Sequence, residues 1–145
     1  MNKKLKIFLF VIVVIVLVGF GVWKYVNLEK TDYLEVKTFK TFTFQELNNK
    51  LENDTSQFLK IRDKLITING EIKKIIKDSN SINIELGDST TLSSVVCQID
   101  DRHLKELSNL KEGNNISVKG ILTGFEKDVL GIGNKIDLTS CTINN

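Results

Sequence analysis

"ITING" (Ile66–Gly70) and "ISVKG" (Ile116–Gly120) share one pattern: apolar, hydroxyl, apolar, polar, glycine. Both alternate as strands do, yet each ends on the residue that weakens a strand most. Glycine in a strand costs conformational entropy and leaves nothing to pack, so it marks a sharp bend or the close approach of another chain. The first stretch belongs to a longer run in which Ile66, Ile68, Gly70 and Ile72 share a face. Ile75 and Ile76 continue it out of phase, which predicts a bulge near Lys73 or Lys74.

Working outward, "KDSNS" (Lys77–Ser81) is a turn, and Ile82, Ile84 and Leu86 alternate as a second strand. "GDSTT" (Gly87–Thr91) turns again before a third strand with Val95, Cys97 and Ile99. "DDRHLKELSNLKEG" then reads as a helix capped by Asp100 or Asp101, lined by Leu104, Leu107 and Leu110, and ended by Gly113. Ile116, Val118, Gly120 and Leu122 form a fourth strand. Ile136 and Leu138, then Cys141 and Ile143 after a phase slip, form a fifth. Three strands, a helix and two strands, with a long first strand, is the order of a mainly β, five-stranded OB-fold Greek-key barrel. In that barrel the first and fourth strands pair and bend, so Gly70 and Gly120 are expected at its corners.

Upstream, Thr43 and Glu46 form a capping box, and Phe42 is placed to staple onto Leu47. Phe44, Leu47 and Leu51 then follow at helical spacing, with a break at "NDTSQ" (Asn53–Gln57). This helix precedes the barrel.

Further upstream, "IFLFVIVVIVLVGFGVW" (Ile7–Trp23) is 17 residues without a charge, the short end of a membrane span. Trp23 and Tyr25 stand where interfacial aromatics sit, which favours a retained signal-anchor. "GFG" (Gly19–Gly21) leaves open a secretory signal that is cleaved. Lys3, Lys4 and Lys6 outnumber Lys24, so the N-terminus is expected in the cytoplasm and the C-terminal domain outside. The chain divides into a transmembrane segment (1–26), a linker (27–42) and a helix-plus-barrel domain (43–145).

The charge follows the same division. Residues 1–30 hold five Lys and one Glu, a net of +4, so the whole-chain +2 leaves −2 for residues 31–145. A domain that lives by binding phosphates would carry the opposite sign.

The runs "KLITINGEIKKI", "VVCQID", "LKEGNNISVKGILTGF" and "IDLTSCTI" together resemble the bacterial tRNA-anticodon-like OB family (tRNA_anti-like) from about Phe44 to Ile143. In that family a lipoprotein signal or membrane anchor precedes a small OB domain, and the helix before the first strand leads into a Tyr and a Gly. Here Ile61 and Asp63 stand in those places. The resemblance implies the architecture and no activity.

OB domains that hold single strands use aromatics on the second and third strands inside a basic groove. "SINIELG" and "TLSSVVCQI" have no aromatic, Lys or Arg. Lys73, Lys74 and Lys77 are a small basic cluster that reads more simply as a solvated edge. For catalysis the chain offers one histidine, His103, beside Asp100, Asp101 and Arg102, which reads as a solvated helix cap. No HExxH, GxSxG, phosphate loop or CxxC occurs, so no catalytic residue, metal or cofactor is expected.

What stands out is "GFEKDVLGIGNK" between the fourth and fifth strands, with Phe125, Val129, Leu130 and Ile132. These side chains either grip a ligand or fold over the open end of the barrel, the second being favoured. Cys97 and Cys141 lie near the ends of the third and fifth strands, which run parallel at the barrel closure. An oxidising location permits a disulfide there, although each also fits a small buried hydrophobe. The slight preference is for the bridge. The functional expectation is a membrane-anchored, extracytoplasmic binding or interaction module for a protein or small ligand. A single-stranded oligonucleotide-binding domain and a structural subunit of an envelope complex are the alternatives.

Overall fold

The computed structural model describes residues 3–26, 32–78 and 81–144. The first part of the expected linker, 27–31, and the turn centre at 79–80 lie outside them. The chain divides into two compact units, residues 1–31 and 32–145.

The first unit is one helix, α1 (Lys3–Val26). Its stretch Leu9–Val26 has a mean hydropathy of 2.5 over 18 residues and is long and apolar enough to cross a membrane.

The second unit is built from β1 (Lys40–Thr43), α2 (Phe44–Asn53), α3 (Ser56–Ile61), β2 (Leu65–Lys77), β3 (Ile82–Gly87), β4 (Ser94–Ile99), a 3-10 helix (Asp101–Asn109), β5 (Asn115–Glu126) and β6 (Lys135–Ile143). The sheet order β2-β3-β4-β6-β5 closes through β2–β5 pairing, so β2 to β6 form the expected barrel. β4 and β6 are parallel, and the other barrel pairs are antiparallel. Alternate residues point inward, among them Ile66, Ile68, Ile84, Leu86, Leu122 and Leu138, each at most 1 % exposed.

β2 serves two partners. It pairs with β5 from Leu65 to Glu71 and with β3 from Glu71 to Lys77. The bulge expected near Lys73 falls between Ile72 and Lys74. Gly70 stands one residue before the exchange of partners, where a Cβ would meet Leu86 Cβ at 3.4 Å and Phe44 Cβ at 3.5 Å. Gly120 lies opposite a bulge in β6: Lys119 pairs with Thr142 and Ile121 with Thr139, leaving Ser140 and Cys141 against one glycine. Ser140 takes φ 52° there, which is the phase slip read in the sequence. Gly70 and Gly120 are not among the glycines with positive φ, so both serve space and neither serves a left-handed backbone.

Thr43 caps α2 through Oγ1, which accepts the Glu46 N–H at 3.2 Å. α2 buries Phe44, Leu47 and Leu51. Asp63 has φ 60°, a left-handed conformation that Asp tolerates and Gly favours, at the position where the resemblance led to a glycine.

Four expectations are corrected. The last residues of the expected linker, 40–42, form strand β1 together with Thr43, parallel to β2 from Lys40↔Ile66 to Thr43↔Asn69. Four residues are too few for periodicity to reveal a strand, and a parallel partner leaves no hairpin signal. The helix after β4 is 3-10, capped by Asp100, and it packs Leu107 and Leu110 while Leu104 is exposed. The buried position in its first turn belongs to His103, whose Nε2 lies 3.1 Å from Asp32 Oδ1. His103 is therefore no solvated cap; a polar residue buried by a partner 71 positions away escapes any local pattern. Finally, Cys97 and Cys141 are both free, fully buried thiols and not the favoured bridge. Burial pushes the Cys141 thiol well up, and the Cys97 sulfur beside it adds to the effect.

The segment from Asp32 to Phe39 lies as a strap on the barrel. Lys119, only 8 % exposed, donates through Nζ to the carbonyls of Leu34 at 2.6 Å and Val36 at 3.2 Å. With the Asp32–His103 contact it ties the entering chain to the end of the barrel closed by the 3-10 helix.

Candidate binding surface

At the other end of the barrel, residues 127–134 join β5 to β6. The loop backbone is drawn in around Asp128. Its Oδ1 accepts the N–H groups of Leu130 at 3.0 Å, Gly131 at 2.6 Å and Ile132 at 3.1 Å. Desolvation alone would raise this carboxyl, but the N–H donors of Gly133, Gly131, Ile132 and Leu130 outweigh it and hold its pKa below the usual carboxylate range.

Asn134 closes the loop, and it is 4 % exposed. Its Oδ1 accepts the Asp128 N–H at 2.8 Å, and its own N–H donates to Ser93 Oγ at 2.9 Å. Its Nδ2 donates to Asn48 Oδ1 at 3.0 Å and Glu52 Oε2 at 3.4 Å on α2. Gly133, at φ 90°, runs so near the β3–β4 connection that a Cβ would stand 2.3 Å from the Leu92 carbonyl carbon. Only glycine fits there.

This frame holds aliphatic side chains out into solvent. Val129 is 87 % exposed, Leu130 82 %, Ile132 70 % and the neighbouring Leu92 70 %. A cavity of about 350 Å³ lies among them, bordered also by Glu126, Lys127 and Lys135. Of the four apolar residues expected at this loop, Phe125 turns to the core, its ring 6.3 Å from that of Phe58. The other three do not fold over the end of the barrel, because Asp128 and Asn134 satisfy the loop with polar contacts and leave them outside. Leu92 and Asn134 were missed in the sequence; the unusual pairing of Asp128 with a Gly-x-Gly-Asn run was their only signal.

Beside the tip, the outward face of β3, β4 and β6 carries Glu85, Val96 and Asp137 in one row across three strands. Lys135 pairs with Asp137 at 3.2 Å. Lys73 does not face a groove; its Nζ donates to Thr91 O at 2.6 Å and fastens the β3–β4 connection. A second depression, of about 520 Å³, lies at the Gly70 corner between Gln45, Glu71, Asp88 and Asn115. Among the described residues, no group of three or more His, Cys, Asp or Glu side chains is disposed to hold a metal ion.

Residues 1–135 match the family model tRNA_anti-like. The chain belongs to the tRNA_anti-like family. No functionally curated protein matches it by sequence. Among solved structures it is similar to a Klebsiella pneumoniae protein provisionally named a nucleic acid-binding lipoprotein, with TM-score 0.59 and 11 % identity over 72 % of this chain and 91 % of that one. Weaker likenesses include the OBody AM3L09 bound to hen egg-white lysozyme, with TM-score 0.44 and 14 % identity over 59 % of this chain and 86 % of that one. The asparaginyl-tRNA synthetase of Entamoeba histolytica gives TM-score 0.39 and 17 % identity over 57 % of this chain and 21 % of that one. At these identities the likeness concerns the OB-like fold of this tRNA_anti-like domain alone.

Proposed function

We propose that this tRNA_anti-like protein is a single-pass membrane protein whose OB-like domain stands outside the cytoplasm and binds a partner, without catalysis, through the loop joining β5 to β6. The anchoring is supported by the apolar stretch Leu9–Val26 and by Lys3, Lys4 and Lys6 before it. The binding role rests on one observation: Val129, Leu130 and Ile132 are at least 70 % exposed on a loop whose backbone is tied down by Asp128 and Asn134. Holding adjacent aliphatic side chains in water on an ordered frame offers the fold nothing, whereas a partner gains their burial without an ordering cost.

The second reading, single-stranded nucleic-acid binding, is favoured by the name of the Klebsiella neighbour. It is opposed by the row Glu85, Val96 and Asp137, which offers neither stacking nor positive charge.

Native electrophoresis of membranes tests the binding role. The full chain is expected in a complex well above its own 16.4 kDa, and Ile132→Asp is expected to release it. Equal mobility of wild type and variant would overturn the reading. Protease added to intact cells tests the topology: degradation of the domain supports the proposed side, and protection refutes it.

A further inference from the structure

The outward face of β2 and β5 carries three successive polar rungs: Thr67 opposite Lys119, Asn69 opposite Ser117, and Glu71 opposite Asn115. The first rung is buried, and Lys119 spends its ammonium on the strap carbonyls of Leu34 and Val36. The other two open into the depression of about 520 Å³ at the Gly70 corner. Among the described residues, the side chains of Asn69, Glu71, Asn115 and Ser117 have no hydrogen-bond or ion-pair partner. The sheet fixes their spacing: opposite residues stand about 5 Å apart at Cβ, and successive rungs about 7 Å apart. β2 is paired on both sides along this stretch, so the four are presented on a rigid support.

Glu71 and Asp88 are the charged residues of the lining, which holds no Lys or Arg. Asp88 is engaged, its Oδ1 accepting the Thr90 N–H at 2.9 Å and the Thr90 hydroxyl at 2.7 Å. Further along β2, Lys73 donates to the Thr91 and Ser93 carbonyls, and Lys74 stands opposite Glu85. Phe44 and the half-buried Ile116 add apolar atoms to the lining.

Carboxylates alone would select a cation, and lysines an anion. Two amides, a hydroxyl and a carboxylate instead place donors and acceptors side by side, and the group that meets both is one that itself donates and accepts, the hydroxyl. The acidic lining disfavours phosphorylated or otherwise anionic ligands. The volume lies within the roughly 300–1,000 Å³ of small-ligand sites.

We infer that the Gly70 corner is a binding site for a neutral saccharide, whose hydroxyls are held by Asn69, Glu71, Asn115 and Ser117 and whose C–H groups pack on Ile116. It stands at the start of β5, whereas the apolar loop follows the end of that strand, so the two sites are separate. It uses the first and fourth strands of the barrel, not the second and third with which OB domains bind oligonucleotides.

The test is calorimetric titration of the full chain in phospholipid nanodiscs with cellobiose, maltose and N,N′-diacetylchitobiose, and with spermidine and inorganic phosphate for comparison. At least one disaccharide is expected to bind saturably with a Kd below about 1 mM, and neither spermidine nor phosphate. Asn69→Ala with Asn115→Ala, both at exposed positions, should weaken that binding about tenfold or more, and the nearly isosteric Glu71→Gln about fivefold. Leu130→Asp on the apolar loop should leave it unchanged. Saturation by none of the disaccharides, binding of spermidine or phosphate instead, or an affinity indifferent to the substitutions would overturn the inference. Should the double variant melt early, Glu71→Gln decides alone. The binding role of the loop is tested separately by Ile132→Asp and stands or falls without this site.

Discussion

Gly120 on β5 lies under the sulfur of Cys141 on β6, so near that a Cβ on Gly120 would stand 2.6 Å from Cys141 Sγ. The β6 bulge, with Ser140 at φ 52°, turns this sulfur into the core, and the absent side chain of Gly120 receives it. Gly120→Ala should therefore destabilise the domain by about 1–3 kcal/mol through overpacking. Cys141→Ala removes the obstructing atom, so the double variant should recover part of that loss. A urea-unfolding cycle measures the coupling, and strict additivity would contradict the contact. Gly70→Ala, facing Leu86 Cβ at 3.4 Å, should cost less.

The loop frame and the loop tip should respond differently. Gly133→Ala combines a forbidden φ of 90° with a backbone collision and should lower the melting temperature clearly. Leu130→Asp, at a side chain 82 % exposed, should change stability by no more than about 0.5 kcal/mol. Thermal melts of the two variants give the comparison.

Acid stability depends on carboxylates held ionised. Hydrogen bonds from the Arg102 side chain lower the Asp100 carboxyl from 3.8 to about 2. The Asp32 carboxyl is lowered by the Leu34 N–H first and by His103 second. A depressed folded-state pKa stabilises fully above the unfolded value and is lost as pH falls through the folded one. For Asp100 the loss runs from about pH 4 down to about pH 2. Arg102→Gln should move the midpoint of acid unfolding upward, read by circular dichroism. An unchanged midpoint would remove Asp100 from the account.

Cys97 and Cys141 are both 0 % exposed. The folded protein should resist a thiol reagent, because burial blocks access and the raised Cys141 pKa leaves little thiolate. Unfolding without reductant should expose two thiols per chain. A count of zero would show that the pair is oxidised in place.

The domain's charge of −2 and the acidic row on its β3–β4–β6 face should prevent binding of single-stranded DNA or RNA. Fluorescence anisotropy at micromolar protein should stay flat across salt concentrations. A steeply salt-dependent isotherm would restore the nucleic-acid reading.

Much of this protein is local chemistry and was legible as such. Alternation of Ile66, Ile68 and Ile72, the bulge at Lys73, the Thr43–Glu46 cap and the phase slip before Cys141 each involve residues a few positions apart. Period and capping act over that range, and the strand order then admits few closed barrels. The apolar run Ile7–Trp23 is likewise a property of composition alone.

Tertiary structure decided the rest because the deciding partners are distant in the chain. Buried His103 meets Asp32 and buried Lys119 meets the Leu34 and Val36 carbonyls, while Leu104 beside His103 is exposed. Gly120 looked like a corner, and its need came from a sulfur 21 positions later, delivered by pairing with β6. Val129, Leu130 and Ile132 are as apolar as any core residue, and hydrophobicity alone sends them inward. They stand in water because Asp128 gathers the loop's own N–H groups while Asn134 binds the loop to Ser93, Asn48 and Glu52, polar contacts that only the folded arrangement of the β3–β4 connection and α2 can supply.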